Sequence, residues 1–241
     1  MKHSFIDQYS DSNSVIHRLD PRTKFLATLA FILAVTLTPP HHGQAFWVYF
    51  ALVSVLILLS RVPVLHILKR SLVIMPFVLL VAIFVPFLKE NGLQLFLTVV
   101  VKAWLSILSL VLLMATTKIP SLLEGLEWLR LPRVMVMILS FMYRYIFVLV
   151  DEVMRMRQAR DSRNFGGSRW WQLKTIGSMV GTLFIRSYER GERVYVAMLS
   201  RGFEGHSRTR ENLGFKLADA YFGISFGLAL FLTGVFGFWG G

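Results

Sequence analysis

Residues 93–116, LQLFLTVVVKAWLSILSLVLLMAT, run straight into residues 117–133, TKIPSLLEGLEWLRLPR. The first stretch carries one charge, Lys102, and exceeds the ~20 residues a helix needs to cross a bilayer. The second is basic and punctuated by proline. An apolar run followed by a basic block marks a membrane protein and the side of the membrane on which the block lies. Lys and Arg accumulate in the loops retained in the cytoplasm. The block extends from Thr117 to Lys216 and holds 17 of the chain's 26 Lys and Arg.

Working outward, four more apolar segments appear. The first is Pro21–Thr38, with Asp20 as N-cap and Pro21 at the first helical position, where its missing N–H costs nothing. Lys24 sits in its first turn and is placed to snorkel to headgroups. Pro39-Pro40 ends it. The second is Ala45–Ser60, with Trp47 and Tyr49 as interface anchors. The third, Leu72–Leu88, contains Pro76 and Pro86, which kink or fray it. Leu93–Thr116 is the fourth. The fifth, Phe215–Trp239, carries Gly223, Gly227 and Gly234, which permit close helix–helix approach.

Cations alternate with the spans. Lys2, Arg18, Arg22 and Lys24 stand in the N-terminal arm and at the start of the first, and Arg61, Lys69 and Arg70 follow the second. His41-His42 and the pair Lys89 and Glu90 lie in the other turns. The expected orientation is N-terminus in the cytoplasm and C-terminus outside. The fold class is all-α: a polytopic membrane protein with about five transmembrane helices and three cytoplasmic or interfacial helices. The expected division is residues 1–116, an N-terminal arm with four spans; 117–214, the cytoplasmic helical region; and 215–241, the last span.

A formal charge of +12 would suit nucleic acid, but a mean hydropathy of +0.57 gives that charge a simpler cause. No nucleic-acid partner is expected. With no cysteine, disulfides, thiolate catalysis and iron–sulfur clusters are excluded. The polar first twenty residues do not read as a signal peptide.

The basic block has helical periodicity. Ser121 and Glu124 form a capping box, and the helix after it stops at Leu131-Pro132. A second helix begins near Arg133. Residues 134–150 are apolar apart from Arg144, and charged residues follow. This segment reads as a sixth span or as a helix along the inner interface, partly buried against the bundle. Both flanks are basic, and Arg144 at the membrane centre would cost about 2.5–3.5 kcal/mol, so the interfacial reading is preferred. A turn over Asn164–Arg169 leads to a third helix, about Trp171–Leu199. Its apolar stripe is Ile176, Val180, Leu183 and Phe184, and its basic stripe is Arg186, Arg190 and Arg193. Glu189 is placed to pair with Arg193.

Two tripeptides stand at the ends of these helices: Ala159-Arg160-Asp161 and Ser200-Arg201-Gly202. Each places an arginine beside a small residue that lets a partner backbone approach. A guanidinium fork there binds a carboxylate bidentately. Gly202 is a candidate left-handed helix terminator. Asp161, beside Arg160, is placed to pair with it.

These features resemble the transmembrane T component of energy-coupling-factor transporters, the CbiQ type of cobalt importers. The resemblance rests on Phe5-Ile6-Asp7-Gln8-Tyr9-Ser10, on Ile16-His17-Arg18-Leu19-Asp20-Pro21-Arg22-Thr23-Lys24, on Leu129-Arg130-Leu131-Pro132, and on the two tripeptides, which stand where the family has paired Ala-Arg-Gly signatures. It covers essentially the full length. It implies a non-catalytic permease subunit in the cytoplasmic (inner) membrane of a prokaryote. The three helices of the basic block become coupling helices. Two ATPase subunits (CbiO-like) would be engaged by Arg160 and Arg201 with their flanking residues. A substrate-binding membrane subunit (CbiM-like) and a small accessory membrane subunit would complete the assembly. The chain would bind no cofactor, ATP being held by the partners. Cobalt ion is the implied substrate, with nickel or a vitamin as alternatives. The tripeptides depart from the family pattern at Asp161 and Ser200.

Other polar groups are weaker candidates. His41-His42 reads as a surface turn rather than a metal relay. Lys102, a cation within a span, reads as a structural group, snorkelling or paired with Asp219, rather than as a transport ligand. The chain has no Gly-x-x-x-x-Gly-Lys-Ser/Thr loop, no His-Glu-x-x-His and no Gly-x-Ser-x-Gly. A membrane-embedded enzyme is the competing class. It would need paired carboxylates or histidines in the spans, which offer Lys102 and Asp219 instead.

Overall fold

A computed structural model describes residues 14, 16–17, 19–40, 43–88, 92–129, 131–163, 169–203 and 217–239. The family-like opening Phe5–Ser10, the His41-His42 turn, Lys89, Glu90, Arg130 and most of the 164–169 turn lie outside these residues. Among the described residues every regular element is a helix. They are α1 (Pro21–Leu37), α2 (Gly43–Ser60), α3 (Val64–Ala82), α4 (Val85–Leu88), α5 (Gly92–Thr116), α6 (Ile119–Trp128), α7 (Arg133–Ser162), α8 (Arg169–Leu199) and α9 (Leu217–Trp239). The chain forms two compact units: residues 1–125 with 211–241, and residues 126–210.

In the first unit α5 is central, packing against α1, α2, α3 and α4, while α9 packs against α1 and α2. Leu105, Leu108, Leu112 and Ala115 line the buried side of α5 at helical spacing. They meet Val35, Val53, Ile57, Ile67 and Leu230 in one core. Phe31 stands edge-on to Tyr49, with ring centroids 5.8 Å apart.

α1 begins as its caps dictate. The Asp20 side chain accepts from the Arg22 N–H at 2.9 Å, and Pro21 opens the helix. Its 17 residues span only about 25 Å at 1.5 Å per residue, short of a ~30 Å hydrocarbon core. α3 differs from expectation. It starts at Val64, eight residues early, so exposed Lys69 and Arg70 lie on the helix rather than in a turn. Leu, Lys and Arg are good helix formers, and propensity outweighs their charge here. Pro76 is accommodated inside α3, whereas Pro86 lies in the separate turn α4. A side chain at Gly92 would collide with the Pro86 backbone, so only glycine lets α4 and α5 meet there.

Three roles change. Tyr49 is a core residue, 1% exposed, and its hydroxyl lies 3.1 Å from Thr38 Oγ1; Trp47 alone keeps an exposed, anchor-like position. Gly223, Gly227 and Gly234 face open space, because α9 packs through Asp219, Phe226, Leu230 and Thr233 on an adjacent face. Ser121 lies inside the first turn of α6, which opens at Ile119, so it is not a cap.

In the second unit α7 and α8 pack together. α7 is one continuous helix of 30 residues. Its apolar and charged halves join without a break, and Val136 is its buried residue. The side of α8 that is partly covered holds Thr175, Met179, Leu183, Ser187, Arg190, Val194 and Met198. The remaining apolar stripe residues, Ile176, Val180 and Phe184, stay exposed.

Five described helices are long and apolar enough to cross a membrane: α2, α3, α5, α7 and α9 over Leu217–Gly234. This set differs by one exchange from the sequence expectation. α1, with 17 residues, falls out of the set, and α7 takes its place.

Candidate functional site

The two arginine tripeptides both lie in the second unit, at the C-terminal ends of α7 and α8. A helix C-terminus carries partial negative charge and favours a cation. The two ends are nonetheless built differently.

At the end of α8 the backbone closes a Schellman motif. The Gly202 N–H donates to the Leu199 carbonyl at 3.0 Å, and the Phe203 N–H to the Met198 carbonyl at 3.1 Å. Gly202 takes φ +76°, the left-handed geometry that the sequence predicts for it. Ser200 Oγ donates back to the Val196 carbonyl at 3.0 Å. Arg201 is exposed and, among the described residues, makes no ion pair or side-chain hydrogen bond.

At the end of α7 there is no glycine and no left-handed residue. The helix continues through Asp161 to Ser162 and closes at Arg163, φ −104° and ψ 0°. The Arg163 N–H donates to the Arg160 carbonyl at 3.0 Å. Arg160 Nε and Nη2 both donate to Asp161 Oδ1, at 3.0 and 2.7 Å. Arg157 Nε stands 3.8 Å from Asp161 Oδ2. The expected Arg160–Asp161 pairing is present, while Ala159 beside it is exposed.

Glu152 joins the two helices. One carboxylate oxygen pairs with Arg186 of α8, and the other with Arg155, one turn along α7, at 3.0 Å. Glu189 and Arg193 pair at 3.8 Å along α8, as the spacing predicts. The basic stripe is thus partly neutralised within the unit.

The first unit holds a polar cluster that sequence reading assembles wrongly. Lys24 is 5% exposed and Asp219 1%. Lys24 does not snorkel; its Nζ donates to the His17 carbonyl at 3.2 Å and to the Thr116 carbonyl at 3.1 Å. Asp219 Oδ1 accepts from the Asp20 N–H at 2.7 Å. Lys102 does not pair with Asp219. Its Nζ donates to the carbonyls of Thr36 and Thr38, at 2.9 and 2.6 Å, where the end of α1 leaves acceptors without helical partners. Each lysine therefore takes carbonyls from a helix terminus. The signal in the sequence was the position of Thr38 and Thr116 at helix ends, since end carbonyls attract cations.

Among the described residues no three His, Asp or Glu side chains gather as a metal site. The described residues of the second unit present charged helix ends on the packed pair α7 and α8.

Five described helices of crossing length, α7 of the basic region among them, define a polytopic membrane protein. A family model described as CbiQ, cobalt transport protein, matches residues 12–211, and the chain belongs to this family. It is 31% identical to the energy-coupling factor transporter transmembrane protein EcfT of Acidaminococcus fermentans, over 98% of this chain and 97% of that one. It is 30% identical to the EcfT protein of Listeria innocua, over 88% and 90% of the two chains. An uncharacterized protein of Methanocaldococcus jannaschii is 27% identical, over 90% of this chain and 81% of its own length. The chain is thus a transmembrane T component of the energy-coupling-factor type.

Proposed function

We propose that this chain couples two ATPase subunits to a separate substrate-binding membrane subunit in an ATP-driven importer, and is not itself an enzyme. ATP is held by the partners, and this chain holds no cofactor. Each arginine tripeptide engages one ATPase, and α7 and α8 carry the resulting motion as stiff levers. The observation that carries the reading is Arg201, exposed at the Schellman-closed end of α8 without an ion pair among the described residues. A guanidinium held there presents its donor fork outward. The family's description supports cobalt ion as the substrate, with nickel or a vitamin as the alternatives.

The protein sits in the cytoplasmic membrane of a prokaryote, with its N-terminus inside and its C-terminus outside. On this reading α1 crosses despite its 17 residues by thinning the bilayer locally, and residues 134–150 of α7 lie along the inner interface although α7 is long enough to cross. A crossing would carry the thirteen Lys and Arg between Asp151 and Lys216 to the outer side, against the charge rule.

Replacing Arg160 and Arg201 together by alanine should abolish uptake and release the ATPase subunits on purification. Full transport and normal co-purification in that variant would overturn the assignment.

A further inference from the structure

The two arginines are not equivalent as docking groups. The donors that a partner carboxylate would take on Arg160, Nε and Nη2, are already directed at Asp161 Oδ1. Arg157 approaches the other oxygen of the same carboxylate, so Asp161 sits between two guanidinium groups. The Arg160 side chain is 26% exposed, less than half the exposure of Arg157 at 65%. At the second tripeptide, glycine stands in the place of the acid, and no described carboxylate reaches Arg201. The backbones differ as well: α7 runs past its tripeptide in right-handed geometry, while α8 stops at Gly202.

Resting on the reading of the tripeptides as ATPase contacts, we propose that Asp161 is an internal competitor that makes the two docking sites unequal. The Arg201 site accepts a partner carboxylate directly and fills first. The Arg160 site is weaker. A partner seated there must bring a cation or an N–H donor to receive Asp161 as it takes Arg160. An exposed pair of this kind shifts an equilibrium about two- to fivefold.

The test uses the full chain in lipid nanodiscs, titrated with the ATPase subunits that co-purify with it. Wild type should bind with two affinities. Asp161→Asn, which keeps the shape and removes the charge, should tighten the weaker one about two- to fivefold and leave the stronger unchanged. Asp161→Gly should do the same. In an Arg160→Ala background Asp161→Asn should have no effect. An unchanged weak affinity in Asp161→Asn, or an equal effect with and without Arg160, overturns the inequality. If Arg160→Ala and Arg201→Ala each leave both affinities intact, the docking assignment itself falls. If the arginine variants weaken binding and the Asp161 variants do nothing, only the inequality falls.

Discussion

At the residue scale, Gly202 and Asp219 carry the sharpest consequences. Gly202 holds φ +76°, a region where a Cβ meets the following carbonyl at a cost of about 1–2 kcal/mol. Gly202→Ala should therefore fray the last turn of α8 rather than unfold the protein. Amide exchange at Gly202 and Phe203 should accelerate, because their N–H groups close the motif. Unchanged protection there would show that the turn is held by something other than its backbone. Asp219 accepts from the Asp20 N–H in a fully buried setting. Asp219→Ala strands that donor and should cost about 1–3 kcal/mol, read as a lower thermal midpoint in detergent. A midpoint equal to wild type would mean that water or another acceptor replaces it.

At the scale of elements, legibility followed the local signals. Asp20-Pro21 placed the start of α1 and Gly202 the end of α8, because caps and terminators act within a turn. Glu189 and Arg193 met because spacing alone decides such a pair. The Arg160–Asp161 pair was legible for the same reason. The misreadings involved partners distant in sequence. Lys24 and Lys102 each found helix-end carbonyls on another element, and Asp219 found a backbone donor 199 residues away. Nothing in a local window distinguishes these from snorkelling or a lysine–aspartate pair. The start of α3 was missed because hydropathy discounts Lys69 and Arg70, which helix propensity accepts. The glycines of α9 suggested a packing face, yet the packing residues lie beside them. Small residues permit approach but do not compel it.

At the scale of the whole molecule, the chain belongs to a family described as cobalt transport proteins, and in chain order its second unit falls between the two segments of the first. The orientation can be read directly, since the chain has no cysteine and every thiol introduced is the only one present. Cysteine at exposed Ser178 on α8 should react with a membrane-impermeant maleimide only after the membrane is opened. Cysteine at exposed Gln44, at the start of α2, should react in intact cells. Labelling of both positions from the same side would refute the proposed orientation and return α7 to the role of a span.

The joining of Asp20 to Asp219 also has a meaning in time. The ribosome delivers the two ends of that hydrogen bond 199 residues apart, which at 5–20 residues per second is about ten to forty seconds. Throughout that interval helices α1 to α5 wait without α9. The whole charged insertion is made in between. The bundle is therefore completed only after the charged insertion has been made.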